Sequence, residues 1–304
     1  MSPFRLGLGV AALTALLWEI GALAPAHPQP WTSLDLRAYF FPAYEAFYGA
    51  LRAGAPMLWN PYQLCGMPWL GTLQGGFFYP PHALYLILPT PWALASSTVL
   101  HLALAAAGTA VFARRAGSSP ASAALAAVVF TGAGMLRTMQ LWPYFLETCA
   151  WLPLGALAVL ELTREAPMRG TLGVALASGM SWLAGSPQAT AFSCYAWAAL
   201  LVARLVVARP SVVVWARATG AFAVGLLAGA LLGAITLLPA LELAGQGVRR
   251  PTTLGPDLMY PLDAPNPHGI WSLWLATGSR ALLLAALGLA PLAFLARSPA
   301  LVLW

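Results

Sequence analysis

The chain contains no lysine; all 15 of its basic residues are arginine. That absence excludes a Walker A phosphate loop, a pyridoxal Schiff base and any lysine general base, since each needs the amine. Charge is scarce as well. Charged residues make up 8% of the 304 against 60% hydrophobic, which excludes a soluble globular domain. Cysteine is rare and odd in number: of Cys65, Cys149 and Cys194, two fall in apolar runs, so no disulfide framework can be read. No HExxH occurs and Asp35 lacks the acidic neighbour of a DxD, so no dedicated metal site is visible. The formal charge of +6 is 15 basic against 9 acidic residues, without a dense arginine cluster, which excludes a nucleic-acid footprint.

What the chain does have is apolar length. Runs of about 18 or more apolar residues read as membrane helices, because roughly 20 residues at about 1.5 Å each cross the hydrocarbon. Spans are predicted near 4–24, 92–113, 119–138, 143–162, 170–184, 188–208, 212–240 and 281–303, with 170–184 the shortest. The sequence therefore reads as an all-α polytopic membrane protein, a single transmembrane domain over 1–304. Ala22-Leu23-Ala24 fits a signal-peptide cleavage site, but a retained first span is the expectation for a polytopic chain. With the N-terminus inside, Arg5, Arg114, Arg115, Arg164, Arg169, Arg204, Arg209, Arg217 and Arg297 fall inside and Arg37, Arg52, Arg137, Arg249, Arg250 and Arg280 outside, the direction of the positive-inside rule. Both long connections, 25–91 and 241–280, are then extracytoplasmic, and they hold Asp35, Glu45, Asp257 and Asp263.

Glu19, Glu147 and Glu242 lie within predicted spans, each nearer the outer end. A midplane carboxylate costs on the order of 2.5–3.5 kcal/mol, so such groups face a wet cavity or a partner. Two arrangements fit: one outward-opening chamber with Arg137 and Asp35 at its rim, or acids resting at headgroup level.

The first connection concentrates the chemistry. Ser33 can cap a turn presenting Asp35 and Arg37, and Pro42 is placed to start a new helix. From Pro42 to Arg52 the residues Tyr44, Phe47, Tyr48 and Leu51 recur at helical spacing, with Glu45 and Arg52 off the stripe. Such a helix is expected to lie in the membrane interface, aromatic face down. Beyond Gly54 and Pro56, glycine and proline are dense enough to specify a fixed irregular loop. Its Trp59, Asn60, Gln74, Tyr79 and His82 suit sugar or lipid-headgroup binding, aromatics stacking on sugar faces while amides bond hydroxyls. Sealing the outer face is the plainer role for the same residues.

Other signals have plain readings. Gly225, Gly229 and Gly233 form GxxxGxxxG, expected to pack helices closely inside the fold. His101 reads as a satisfied structural histidine ahead of a proton relay. Trp142, Trp151, Trp182, Trp271 and Trp274 fit an interfacial aromatic belt.

A set of motifs runs from Asp35 to about Arg249: Asp35 with Tyr39-Phe40-Phe41-Pro42, Leu58-Trp59-Asn60-Pro61 with Gly66 and Pro68, and Gln74 through Phe78-Tyr79-Pro80-Pro81. Further on come Trp151-Leu152-Pro153-Leu154, Gly185-Ser186-Pro187-Gln188, and Leu237-Leu238-Pro239 with Glu242 and Arg249. In this combination the chain resembles the YfhO-like family of bacterial integral membrane proteins, which is similar to the GT-C glycosyltransferases. It departs at Ser186, where that family often has histidine, and at Gly247, where it often has serine. Members are usually much longer, so the chain reads as a truncated or reduced form.

The resemblance implies a GT-C-like bundle of about eight transmembrane helices in the bacterial cytoplasmic membrane. It also implies transfer of a sugar from a polyprenyl-phosphate donor to an envelope glycopolymer or lipid acceptor on the outer face, with Asp35 as general base. Phosphate leaves readily, so the reaction needs a base on the acceptor and cations on the departing phosphate. Arg249, Arg250 and Arg37 are the phosphate candidates, because a guanidinium fork pairs with phosphate oxygens. Glu45, Gln74, His82, Gln188 and Glu242 would orient sugar or acceptor, with Glu147 in the cavity. The residue set leaves room for one divalent cation bridging Asp35 and a donor phosphate. Two rival classes use the same features: a lipid or solute transporter or flippase, and a non-catalytic assembly factor for envelope glycopolymers. The missing internal repeat disfavours transport.

Overall fold

Proline opens most of the helices, where its missing N–H costs nothing because a first-turn N–H has no intrahelical partner. The computed structural model describes residues 34–246, apart from 56–57, 64, 133–135, 137–140 and 164–166, together with Gly9. The predicted spans 4–24 and 281–303 and nearly all of the 241–280 connection lie outside the described residues. So do Glu19, Ser33, Arg137, Arg249, Arg250, Trp271 and Trp274.

The first connection folds into short elements. A π-helical turn, Leu36–Phe40, is closed by the Phe41 N–H donating to the Leu36 carbonyl, and α1 (Phe41–Arg52) follows with Pro42 in its first turn. A two-residue antiparallel pair, β1 (Trp59–Asn60) and β2 (Met67–Pro68), sets Trp59 opposite Pro68 and Asn60 opposite Met67. Two 3₁₀ turns, Leu73–Gly75 and Pro80–Ala83, lead to α2 (Leu84–Ile87).

The bundle comprises α3 (Thr90–Arg115), α4 (Pro120–Gly132), α5 (Pro143–Cys149), α6 (Leu152–Leu162), α7 (Pro167–Ala184), α8 (Pro187–Ala208), α9 (Val212–Leu232) and α10 (Ala234–Gln246). Four stretches, Thr90–Arg115, Pro143–Leu162, Pro187–Ala208 and Val212–Leu232, are long and apolar enough to cross a bilayer, which makes this a membrane protein. The predicted 143–162 span is there, broken at Ala150–Trp151, where Pro153 cannot donate to Cys149 as an unbroken helix would require. The predicted 212–240 span divides at Gly233, and α10 starts afresh beyond it. Hydropathy runs unbroken through both junctions, so it could not mark either.

The shortest predicted span turns out to be the enclosed one. α7 lies between α6 and α9, with Ser178 and Ser181 donating to the Val174 and Ala177 carbonyls of its own helix. Protein covers much of α7, Val174, Ser178 and Ser181 included, and leaves Leu172 and Leu176 exposed on one side, so it needs less apolarity than a helix facing lipid all round. The GxxxGxxxG stripe makes this possible: side chains at Gly225 or Gly233 would fall 2.9 Å from the Thr171 carbonyl oxygen and 2.6 Å from Trp182 Cβ. The glycines thus pack α9 onto α7 inside the fold. The main core joins Trp151, Val159, Val174, Trp197, Leu201 and Phe222, with the Trp197 indole N–H donating to the Leu152 carbonyl at 2.9 Å.

A second core is aromatic and belongs to the first connection. Tyr44, Phe47 and Tyr48 of α1 meet Trp69, Phe77 and Tyr85, and Tyr48 stacks on Tyr85 at 5.0 Å between ring centroids. The stripe expected to face a membrane interface is buried within the protein instead. The irregular segment after α1 supplies aromatic faces that cover it more completely than headgroups would.

Candidate functional site

The first connection docks on the end of the bundle through two glycines. Gly76, at φ +55°, sits where a side chain would come 2.9 Å from the Ala184 carbonyl oxygen, and a side chain at Gly185, at φ +100°, would overlap the Leu73 carbonyl. Gln74 is exposed beside this contact, as is Gln188 in the first turn of α8. Leu243 of α10 touches the same region at Gly71, and Glu242 is exposed next to it. The motifs around residues 74, 185 and 242 therefore converge on one end of the molecule.

Asp35 is exposed at the start of the π-helical turn, and its Oδ2 accepts a 2.6 Å hydrogen bond from the Trp142 indole N–H. Trp142 caps α5, the helix that carries Glu147, so the aspartate is tied to the bundle by one donor while the rest of its carboxylate faces outward. Arg37 is exposed on the same turn.

Glu147 is in the opposite situation. Glu147, His82, Ser97, His101 and Tyr79 are each 2% exposed or less and form one hydrogen-bonded chain. Glu147 Oε1 accepts from His82 Nε2–H at 2.8 Å and from the Ser97 hydroxyl at 2.7 Å. His101 Nδ1–H donates to the Ser97 carbonyl at 2.7 Å, because a carbonyl only accepts. This leaves Nε2 to accept from the Tyr79 hydroxyl at 2.6 Å, and that oxygen accepts from the Trp151 indole N–H at 2.7 Å. Three segments are stitched together: the 79–82 stretch, α3, and α5 with its junction to α6. A buried carboxylate is tolerated only with such donors, although Glu147 Oε2 and His82 Nδ1 have no partner among the described residues.

Four tyrosines surround His82, with Tyr44, Tyr79 and Tyr85 ring centroids 5.1–5.4 Å from its own and Tyr48 at 6.1 Å. Burial first, and the negative charge of Glu147 second, holds the phenols of Tyr44, Tyr48, Tyr79 and Tyr85 well above their ordinary value of 10.0. They stay neutral, so Tyr79 stays a donor.

The remaining predicted residues separate by environment. Tyr79, His82 and Glu147, read as substrate-binding, are brought together but are closed off from solvent. Asn60 is buried too, and its side chain closes a turn by accepting from the Tyr62 N–H and donating to Gln63 Oε1. Glu45 accepts from Arg52 at 3.3 Å and from the Thr90 hydroxyl, fastening α1 to α3, while Arg52 also donates to the Tyr85 carbonyl. Trp59 is about half exposed, its indole lying over Gly66. Glu242 is exposed and Glu147 buried, so they do not share one wet chamber. Trp142 and Trp151, read as belt tryptophans, hold Asp35 and Tyr79 instead; only the tertiary contact distinguishes them from ordinary interfacial tryptophans. His101 is a fully bonded histidine. Among the described residues no three His, Cys, Asp or Glu side chains gather to hold a metal ion.

No family model, curated protein or solved structure matches this chain.

Proposed function

We propose that the protein is a glycosyltransferase of the bacterial cytoplasmic membrane, moving a sugar from a polyprenyl-phosphate donor to an envelope acceptor on the extracytoplasmic face. The observation that carries this reading is the setting of Asp35: one oxygen held by Trp142, the other open, beside an irregular loop rich in aromatics and amides. In the step, the acceptor hydroxyl oxygen attacks the anomeric carbon, its proton passes to the Asp35 carboxylate, and the sugar–phosphate bond breaks with its electron pair leaving on the phosphate. Arg37, Arg249 and Arg250 are the cations proposed for that phosphate, and Trp59, Gln74, Gln188 and Glu242 the groups proposed to hold sugar or acceptor. Tyr79, His82 and Glu147 serve by fixing the loop, and Glu45 by anchoring α1. A positioned base contributes about 10²–10⁴-fold. Replacing Asp35 with Asn should lower transfer from a polyprenyl-phosphate sugar in membranes by that factor at normal protein level, and undiminished transfer would sink the assignment.

One observation favours transport as a second reading: the buried Glu147, paired with His82 of the first connection, lies in a stretch apolar enough to span a bilayer, where ionisable side chains commonly mark ion paths. Proton or solute flux in vesicles that Glu147→Gln abolishes, without any transfer activity, would favour it.

A further inference from the structure

A groove of about 230 Å³ runs between α6 and α7, from Trp151 to Glu161 and Arg169. Trp151, Leu154 and Ala158 form one wall, at the spacing of a single helix face, and Gly173, Leu176 and Ala177 form the other. Small residues make the floor: a side chain at Gly173 would fall 2.7 Å from Ala158 Cβ. The Trp151 indole closes one end, and its only polar atom is engaged by the Tyr79 hydroxyl, so that end is wholly apolar. Glu161 and Arg169 stand at the other end, Glu161 about ten residues along the chain from Trp151. At about 1.5 Å per residue the groove runs about 15 Å, half of a hydrocarbon layer about 30 Å thick. It opens sideways, beside the exposed Leu172 and Leu176.

Among the described residues, one guanidinium at the charged end has no carboxylate partner. Arg115 donates to Glu161 at 3.1 Å, whereas Arg169 is exposed and makes no ion pair among the described residues. Arg204 donates to Thr163 at the same end. An occupant must enter from the bilayer, cover an apolar channel one leaflet deep, and carry negative charge at its head. A free phosphate leaves the walls uncovered, and a zwitterionic lipid brings no net negative charge to Arg169.

We propose that this groove is a binding site for an anionic phospholipid, with one acyl chain lying between α6 and α7 up to Trp151 and the phosphate paired with Arg169. The site is separate from Asp35 and does not depend on the transfer chemistry. The test is native mass spectrometry of the full chain released from detergent, titrated in parallel with phosphatidylglycerol and phosphatidylcholine. Wild type should bind one phosphatidylglycerol in preference to phosphatidylcholine, and millimolar inorganic phosphate should not compete. Arg169→Gln should weaken phosphatidylglycerol about tenfold, the value of a charge-assisted pair, and leave phosphatidylcholine unchanged. Leu157→Trp, which fills the groove, should weaken both lipids. Arg217→Gln, which alters an exposed arginine on α9, and Asp35→Asn should bind like wild type. Equal affinity for the two lipids, wild-type binding by Arg169→Gln, or an equal loss in Arg217→Gln would overturn the proposal. If Leu157→Trp does not fold, the exposed Arg169 variant and the two-lipid comparison decide alone.

Discussion

Asp35 within the first connection and Glu147 in the bundle beneath it are both carboxylates, and their surroundings give them different work. Asp35 is exposed and receives a single indole hydrogen bond at 2.6 Å. Glu147 is 2% exposed and receives two donors on one oxygen, within a chain that also ties down His101, Tyr79 and Trp151. A carboxylate meant to take a proton from an acceptor must be reachable and only partly engaged. One that clamps a loop to a bundle must be buried and engaged, at a desolvation cost offset by its donors. The comparison teaches that the conspicuous intramembrane acid is the structural one and the ordinary surface acid is the candidate for chemistry.

The comparison breaks most readily at Glu147. Glu147→Ala leaves His82 and Ser97 without their acceptor in a dry interior, and unfolding in detergent should show a loss of about 3–5 kcal/mol. Glu147→Gln keeps an acceptor oxygen and should recover much of that loss; an alanine variant as stable as wild type would show that the clamp contributes nothing. Next comes the far end of the chain of hydrogen bonds. Tyr79→Phe removes the acceptor of Trp151 and the donor of His101, and the same unfolding measurement should register about 1–3 kcal/mol.

Trp142→Phe addresses the other carboxylate. It frees Asp35 without removing it, so stability should change little while transfer falls roughly 10- to 100-fold through lost orientation. Equal transfer would mean that the indole contact is incidental. The mildest effect is the response to alkali. The folded phenols of Tyr44, Tyr48, Tyr79 and Tyr85 are held above 10.0, so unfolded chains lose those protons first. Their contribution is complete below about pH 10 and fades above it, so melting temperature should hold steady to that pH and then decline, with tyrosinate absorbance from the cluster arriving only as structure is lost.

Much of this was legible from residue type and spacing. The run of helices from 90 to 232 and the inward packing of Gly225, Gly229 and Gly233 follow from local rules. Pro42, by contrast, starts no new helix: the chain is helical from Leu34 through Arg52, and the π-helical turn before Phe41 carries it past the proline. The aromatic stripe of α1 was legible as a stripe, but its partner was not, since an amphipathic face looks the same whether lipid or Phe77 covers it. The breaks at Trp151 and Gly233 were hidden because hydropathy continues through them. At the site, Asp35, Tyr79, His82 and Glu147 all stand out by residue type, yet which of them faces water depends on pairings across 65 and 107 positions of chain that no local pattern encodes. The hold of Trp142 on Asp35 leaves no local signal for the same reason.

The most direct measurement is to treat sealed membranes with a water-soluble carbodiimide and an amine, map the modified carboxylates by mass spectrometry, and follow transfer on the same samples. The account predicts modification of Asp35, protection of Glu147, and loss of transfer in proportion to Asp35 labelling. Labelling of Glu147 as fast as Asp35, or full transfer after Asp35 is modified, would contradict it.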